Sequence, residues 1–170
     1  LLSHVPPLEV LAHRTLWSMV FFGAVIIVTG RLSEVGHVFR DRRALGVLAV
    51  TAVMISLNWF GFIFSIQVGW AVEASLGYYI FPLVAVILGY LMLGERFHPA
   101  QIVAILLALV AVLTLSFGLG ATPWISFGLA ITFGIYGLLK QRVKAGAVLS
   151  VFVEVLLIAP FATIWIFGVH

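Results

Sequence analysis

Ile102-Val103-Ala104-Ile105-Leu106-Leu107-Ala108-Leu109-Val110-Ala111-Val112-Leu113 contains no polar side chain, and Leu83-Val84-Ala85-Val86-Ile87-Leu88-Gly89-Tyr90-Leu91-Met92-Leu93 contains a single hydroxyl. A helix on the surface of a soluble domain keeps a polar face, and a buried strand ends after about 4–8 residues. These runs are apolar on every side, so their solvent is lipid. Working outward to the breaker residues divides the chain into six such segments, at about 10–30, 44–66, 71–93, 100–118, 123–139 and 148–168. Each approaches the roughly 20 residues that cross about 30 Å of hydrocarbon. They read as helices, because an open sheet edge cannot be satisfied in lipid, and a membrane barrel would alternate polar with apolar residues. The composition agrees: of 170 residues, 64% are hydrophobic and 9% charged, with a mean hydropathy of +1.25. A soluble domain is nearer half apolar and a quarter charged. The expected fold is an all-α, polytopic transmembrane helix bundle, one membrane domain over 1–170.

The connecting segments give an orientation. Loop 31–43 carries Arg31, Arg40, Arg42 and Arg43, loop 94–99 carries Arg96, and loop 140–147 carries Lys140, Arg142 and Lys144. Loops 67–70 and 119–122 carry no Lys or Arg, so the alternate, basic loops are expected in the cytoplasm of a bacterial cell. The basic residues border spans and form no nucleic-acid motif, which accounts for the pI of 9.7 without a nucleic-acid partner. Trp70 and Trp124 fall at the outer ends of their helices, among headgroups, while Trp17, Trp59 and Trp165 lie deeper. With loop 31–43 inside, residues 1–9 and His170 lie outside. A chain that starts outside, with neither Met nor a signal peptide, is expected to be preceded by an odd number of spans, and a stop at a span end suggests a continuation.

Polar groups inside spans are expensive and need a reason. Glu9 and His13 share a helical face at i, i+4, with Arg14 one residue on. They read either as an interfacial cluster, Arg14 snorkelling beside Glu9, or as groups that face a cavity, His13 being able to titrate. Asn58 beside Trp59 reads either as an interhelical hydrogen bond or as an amide that orients a ligand against Trp59 and Trp17. Glu73, in the first turn of its span, complements the helix dipole or serves as a coupling carboxylate at a pocket mouth lined by Tyr78 and Tyr79. Pro82, in mid-span, and the Gly-rich segment holding Gly128, Gly134 and Gly137 can open a backbone beside a pathway or merely kink it. Glu154 lies about two turns into its span, roughly 9 Å by helical rise, where it faces a pathway or pairs with a loop cation such as Lys144. Small residues at helical spacing, Ala104 with Ala108 and Ala111, Ala71 with Ser75, and Ala130 with Gly134, read as contacts between helices.

Catalytic chemistry finds little support. There is no HExxH, GxSxG, P-loop or GxGxxG, there is no Cys, and Asp41 is the one Asp, so neither metal nor cofactor is expected. No filter-like segment marks a channel. A membrane enzyme or scaffold acting on lipid or small metabolites is the alternative to a transporter.

His13-Arg14-Thr15-Leu16-Trp17-Ser18, Asn58-Trp59 with Phe62-Ile63, Glu73-Ala74-Ser75-Leu76-Gly77-Tyr78 with Pro82-Leu83, and Gly94-Glu95-Arg96-Phe97 resemble the RarD group of EamA-type permeases, the chloramphenicol-sensitive proteins of the drug/metabolite transporter superfamily. The resemblance runs from about 5 to 165. It is specific over 58–97 and looser afterwards, where Tyr136-Gly137-Leu138, Glu154 and Pro160 still fit. It implies ten helices in two inverted five-helix repeats, of which these spans would be helices two to seven, the first repeat reaching about 118 and the second beginning at about 123. It also implies a plasma-membrane permease that moves a small-molecule substrate by alternating access. On that plan the span 148–168 mirrors 10–30. An ion gradient is the expected driving force, with protons a candidate ion, and His13, Arg14, Trp17, Asn58, Trp59, Glu73, Tyr78, Tyr79, Pro82 and Glu154 are the candidate residues for binding substrate or coupling its movement.

Overall fold

The computed structural model describes residues 5–94, 97–119 and 123–168, and every regular element among them is helical. In chain order these are α1 (Pro7–Val28), α2 (Leu32–Arg40), α3 (Arg42–Gln67), α4 (Ala71–Leu93), α5 (Pro99–Leu119), α6 (Pro123–Lys140) and α7 (Ala147–Gly168). Five of them, α1, α3, α4, α5 and α7, are long and apolar enough to cross a membrane. The sixth expected span, α6, is apolar but shorter, 18 residues or about 27 Å of rise. Glu95 and Arg96, and with them the basic residue of loop 94–99 and half of the Gly94–Phe97 motif, lie outside the described residues. So do His170, 1–4 of the outer segment and 120–122 of loop 119–122.

One element was not expected. The basic loop 31–43 contains α2, which is amphipathic: Val38 is buried and Val35 packs beside it in a core formed with Ile26, Leu48, Val143, Leu149 and Val153. Its start is held by Arg31, whose guanidinium donates two hydrogen bonds to the Glu34 carboxylate, at 2.8 and 2.7 Å. That bidentate pair, reinforced by the opposite charge, holds Glu34 below the usual carboxylate range and raises Arg31. Asp41 then closes α2 and opens α3. Its Oδ1 accepts from the backbone N–H of Arg43 at 3.0 Å and of Ala44 at 3.1 Å, which satisfies two of the orphan donors of the new helix. A hydropathy reading passes over α2 because a nine-residue helix with one apolar stripe has a low average.

The long helices end by specific devices. At the end of α1, Gly30 N–H bonds to Ile27 O and Arg31 N–H to Ile26 O; at the end of α3, Gly69 N–H bonds to Ile66 O and Trp70 N–H to Ser65 O. Both are Schellman motifs, and both need a left-handed residue, met by Gly30 at φ 69° and Gly69 at φ 87°. At the start of α5, Pro99 takes the first helical position, while His98 N–H donates to Gln101 Oε1 at 2.8 Å and His98 Nδ1 accepts from Ala100 N–H at 3.4 Å.

Contacts divide the chain into two compact units, Leu1–Phe60 with Leu139–His170, and Gly61–Leu138. The chain leaves the first within α3 and returns to it within α6. In the first unit α1 packs chiefly on α7, and α2 also touches α7. In the second, Leu76, Ile80 and Leu83 of α4 form a core with Val112 of α5 and Ala130 of α6. The close approach in this unit is at glycines: a Cβ on Gly77 would stand 3.1 Å from both Leu129 Cβ and the Ser126 carbonyl oxygen, and one on Gly134 would stand 3.0 Å from Val84 Cγ1 and Leu88 Cδ1. The expected contact at Ala130 and Gly134 is therefore present, whereas Ala104, Ala108 and Ala111 are exposed. Neither Pro82 nor the glycines of α6 open the backbone; both helices are continuous.

Two outcomes follow from this packing. Replacing Gly77 by Leu should cost about 1–3 kcal/mol of overpacking and lower the thermal midpoint of the detergent-solubilised protein. Gly128→Ala, where a Cβ meets nothing within 4 Å inside a helix, should leave it unchanged or raise it. Because Glu34 titrates below its unfolded value, the Arg31–Glu34 pair is at full strength above the ordinary carboxylate range and is lost as pH falls through the lowered value. Amide protection over 32–40, taken relative to the intrinsic exchange rate at each pH, should therefore fall at acid pH and stay constant between neutral and mildly alkaline pH.

Candidate functional site

In the first unit, three helices converge on one carboxylate. Glu154 of α7 is 3% exposed; its Oε2 accepts from Lys140 Nζ, the last residue of α6, at 2.7 Å, and its Oε1 accepts from Thr51 Oγ1 of α3 at 2.7 Å. Of the cations expected in loop 140–147, Lys140 makes the ion pair, while Lys144 is exposed. The reason is geometric. The short link 141–146 folds α7 back beside the end of α6, so a residue two turns into α7 meets the last turn of α6. Lys140 there also complements the negative end of the α6 dipole, and its side chain is 19% exposed.

Toward the start of α1, the Arg14 guanidinium carbon lies 3.8 Å from the centre of a Trp59 ring. This is a cation–π stack between α1 and α3, so one face of Trp59 is covered by an arginine. Asn58, its neighbour, is buried at 2% exposure and hydrogen-bonding or otherwise partnered; no buried side-chain nitrogen or oxygen among the described residues lacks a hydrogen bond. Trp17, one turn beyond Arg14 on α1, is 70% exposed, and His13 is also exposed. Glu9 is half-buried.

In the second unit, Glu73 is half-buried in the first turn of α4, and no ion pair involves it among the described residues. Its backbone carbonyl accepts from Ser126 Oγ at 2.6 Å, which ties the start of α4 to α6. Tyr78 and Tyr79, successive on a helix, point about 100° apart. Tyr78 meets Phe62 at 5.6 Å and Phe133 at 6.3 Å, both edge-on, while Tyr79 is 67% exposed with no ring contact among the described residues. Phe133 also packs on Phe81 at 4.7 Å and stacks on Tyr136 at 5.8 Å. Pro82 is exposed.

Thr51, Lys140, Ser126 and Phe133 were not singled out from sequence. Lys140 could have been found, since Glu154 requires a cation and the end of the preceding helix is the nearest source. Thr51 could not, because a threonine in an apolar helix ordinarily bonds to its own backbone, as Thr114 does to Val110 O. No three His, Cys, Asp or Glu side chains among the described residues are grouped to hold a metal.

Comparison with known proteins places these features in context. The EamA-like transporter family matches residues 1–117. The protein RarD of Salmonella typhimurium is 37% identical over 169 residues, covering 99% of this chain and 58% of its own length. RarD of Streptomyces exfoliatus is 44% identical over 146 residues, covering 86% of this chain and 46% of its own length. An uncharacterised transporter of Bacillus subtilis is 38% identical over 168 residues, 95% of this chain and 55% of its own. The chain thus spans about half the length of the curated relatives it matches. No solved structure matches.

The ion pair predicts an asymmetry. Lys140→Met leaves Glu154 without its counter-charge and should cost about 3–5 kcal/mol, whereas Lys140→Met combined with Glu154→Leu, which removes both charges, should recover most of that loss. Thermal unfolding of the two variants in detergent decides it.

Proposed function

This chain belongs to the EamA-like transporter family, and from that premise we propose that it moves small organic molecules across a bacterial plasma membrane by alternating access, driven by an ion gradient. It is a multi-pass membrane protein, and several of its relatives carry the name transporter. The basic residues of 31–43, 94–99 and 140–147 support a cytoplasmic position for those segments. A relative in Pseudomonas aeruginosa is named a chloramphenicol-sensitive protein, which makes chloramphenicol a reasonable first cargo to offer.

The observation that carries the reading is where the helices accept polar cost. Arg14 and Glu154 stand within apolar helices, where a charge is costly and needs a reason beyond hydropathy. In the first unit, Arg14 stacked on Trp59, with Trp17 and His13 exposed on the same helix, supplies a cation and flat apolar surface suited to a small organic molecule. Glu154 belongs to the same unit. In the second unit, Glu73 is the proposed coupling carboxylate, exposed enough to exchange a proton and free of an ion pair among the described residues. Tyr78, Tyr79 and Pro82 follow it on α4 as candidate contacts for cargo.

The test is uptake by proteoliposomes containing the full-length protein, with chloramphenicol and pooled metabolites offered with and without an imposed proton gradient. Accumulation should collapse with the gradient. Glu73→Gln should reduce it to the passive level, and Arg14→Gln should raise the apparent KM. Unchanged accumulation in Glu73→Gln confines Glu73 to its place at the start of α4. A chemical product from a labelled lipid or metabolite, without accumulation, would replace the transporter reading by an enzyme.

A further inference from the structure

The Thr51 hydroxyl has one hydrogen and two acceptors within reach, Glu154 Oε1 at 2.7 Å and the Leu48 carbonyl oxygen at 3.0 Å. It can serve one at a time. With Glu154 ionised, the hydrogen goes to Oε1 and the ammonium of Lys140 to Oε2. With Glu154 neutral, the carboxyl hydrogen on Oε1 is donated to Thr51 Oγ1, and the threonine hydrogen turns to Leu48 O. Both arrangements use the same heavy-atom positions for Glu154, Thr51 and Leu48, and both leave those three groups hydrogen-bonded. What differs is Lys140, which in the second arrangement has lost its counter-charge and, being partly exposed where Glu154 is not, has water within reach.

We propose that Glu154 is a proton-binding site of the transport cycle, with Thr51 accepting the bound proton's hydrogen bond and Lys140 released when it binds. The proposal rests on the gradient-driven reading given above and names a second proton site in addition to Glu73. The step is balanced: a hydronium ion gives up one proton, its O–H bond breaking to leave water, one O–H bond forms at Oε1, no other covalent bond changes, and the cluster gains one positive charge until the proton leaves. Neighbouring elements offer few competing charges. There is no other ionisable residue in α7, none in α3 beyond Arg43, and none in α1 between Arg14 and the end of the helix. On α6 the groups are Tyr136 and Lys140. On α2, which touches α7, they are Glu34, paired with Arg31, then His37 and Arg40. Asp41, Arg142 and Lys144 are exposed in the connections, and Arg42 and Arg43 are exposed in the first turn of α3.

The proton can be detected without any cargo. Dicyclohexylcarbodiimide reacts with protonated carboxyls in apolar surroundings, and peptide mass spectrometry locates the adduct. In the full-length protein in liposomes, the peptide carrying Glu154 should be modified, more at acid than at alkaline pH, and Lys140→Met should raise that modification about tenfold at neutral pH by removing the charge that favours the ionised form. The wild-type pH series requires no variant to fold. A Glu154 peptide unmodified at every pH, or modified equally at every pH, overturns the proposal. In the transport assay, Glu154→Gln should lose gradient-driven chloramphenicol accumulation while retaining exchange of chloramphenicol across the membrane; gradient-driven accumulation equal to wild type also overturns it. Absence of any uptake by the wild-type protein overturns the transporter reading instead, and the labelling then decides alone whether Glu154 takes up a proton.

Discussion

Glu154 is a carboxylate held in hydrocarbon, and the architecture of the first unit is arranged around matching it. A charge so placed tolerates no missing partner, since there is no water to substitute for one. Its two oxygens are served by two different helices, so α7 is tied to α3 through Thr51 and to the end of α6 through Lys140. Van der Waals packing of Ile26, Leu48, Leu149 and Val153 then fills the space around this polar tie. Packing between apolar helices in lipid has little hydrophobic drive of its own, because the surrounding tails are as apolar as leucine. A directional, unsatisfied-at-a-cost interaction therefore does what general stickiness does in a soluble core: it chooses one helix register over its neighbours.

The second unit solves the same problem without a charge. Gly77 and Gly134 remove the side chains that would hold α4 and α6 apart, and Ser126 then reaches the backbone carbonyl of Glu73. Close backbone approach and one hydroxyl replace the ion pair. Two units of one chain thus use the two principal devices of membrane helix association, small residues and polar ties, in different proportions.

Much of this was legible before any coordinates. The runs 83–93 and 102–113 admit one solvent and one kind of element, so the helices and their approximate ends follow from hydropathy alone. The short helix α2 was hidden because its apolar stripe of Val35 and Val38 is diluted by charged neighbours in any average. At the candidate sites, the costly residues were visible from their type, as Arg14, Asn58, Glu73 and Glu154 were, but their partners were not. Hydropathy says that Glu154 must be compensated; which of Lys140, Arg142 and Lys144 compensates it depends on how tightly 141–146 turns. Tyr78 and Tyr79 illustrate the same limit, since adjacent residues of equal chemistry, both exposed, differ in that Tyr78 meets Phe62 and Phe133 while Tyr79 meets no ring among the described residues.

The glycines that end α1 and α3 bear on how the protein lives in bilayers of different thickness. A helix that frays can lengthen or shorten by a turn as the hydrocarbon changes depth, but Gly30 and Gly69 stop their helices within a single residue, through paired backbone bonds and a positive φ that another side chain would resist. The hydrophobic lengths of α1 and α3 at those ends are therefore constants. A thicker or thinner membrane has to be met by tilting whole helices or by deforming the lipid, each at a fraction of a kcal/mol per Å. Bilayer thickness thereby becomes a mechanical input to the angle at which α1 and α3 stand.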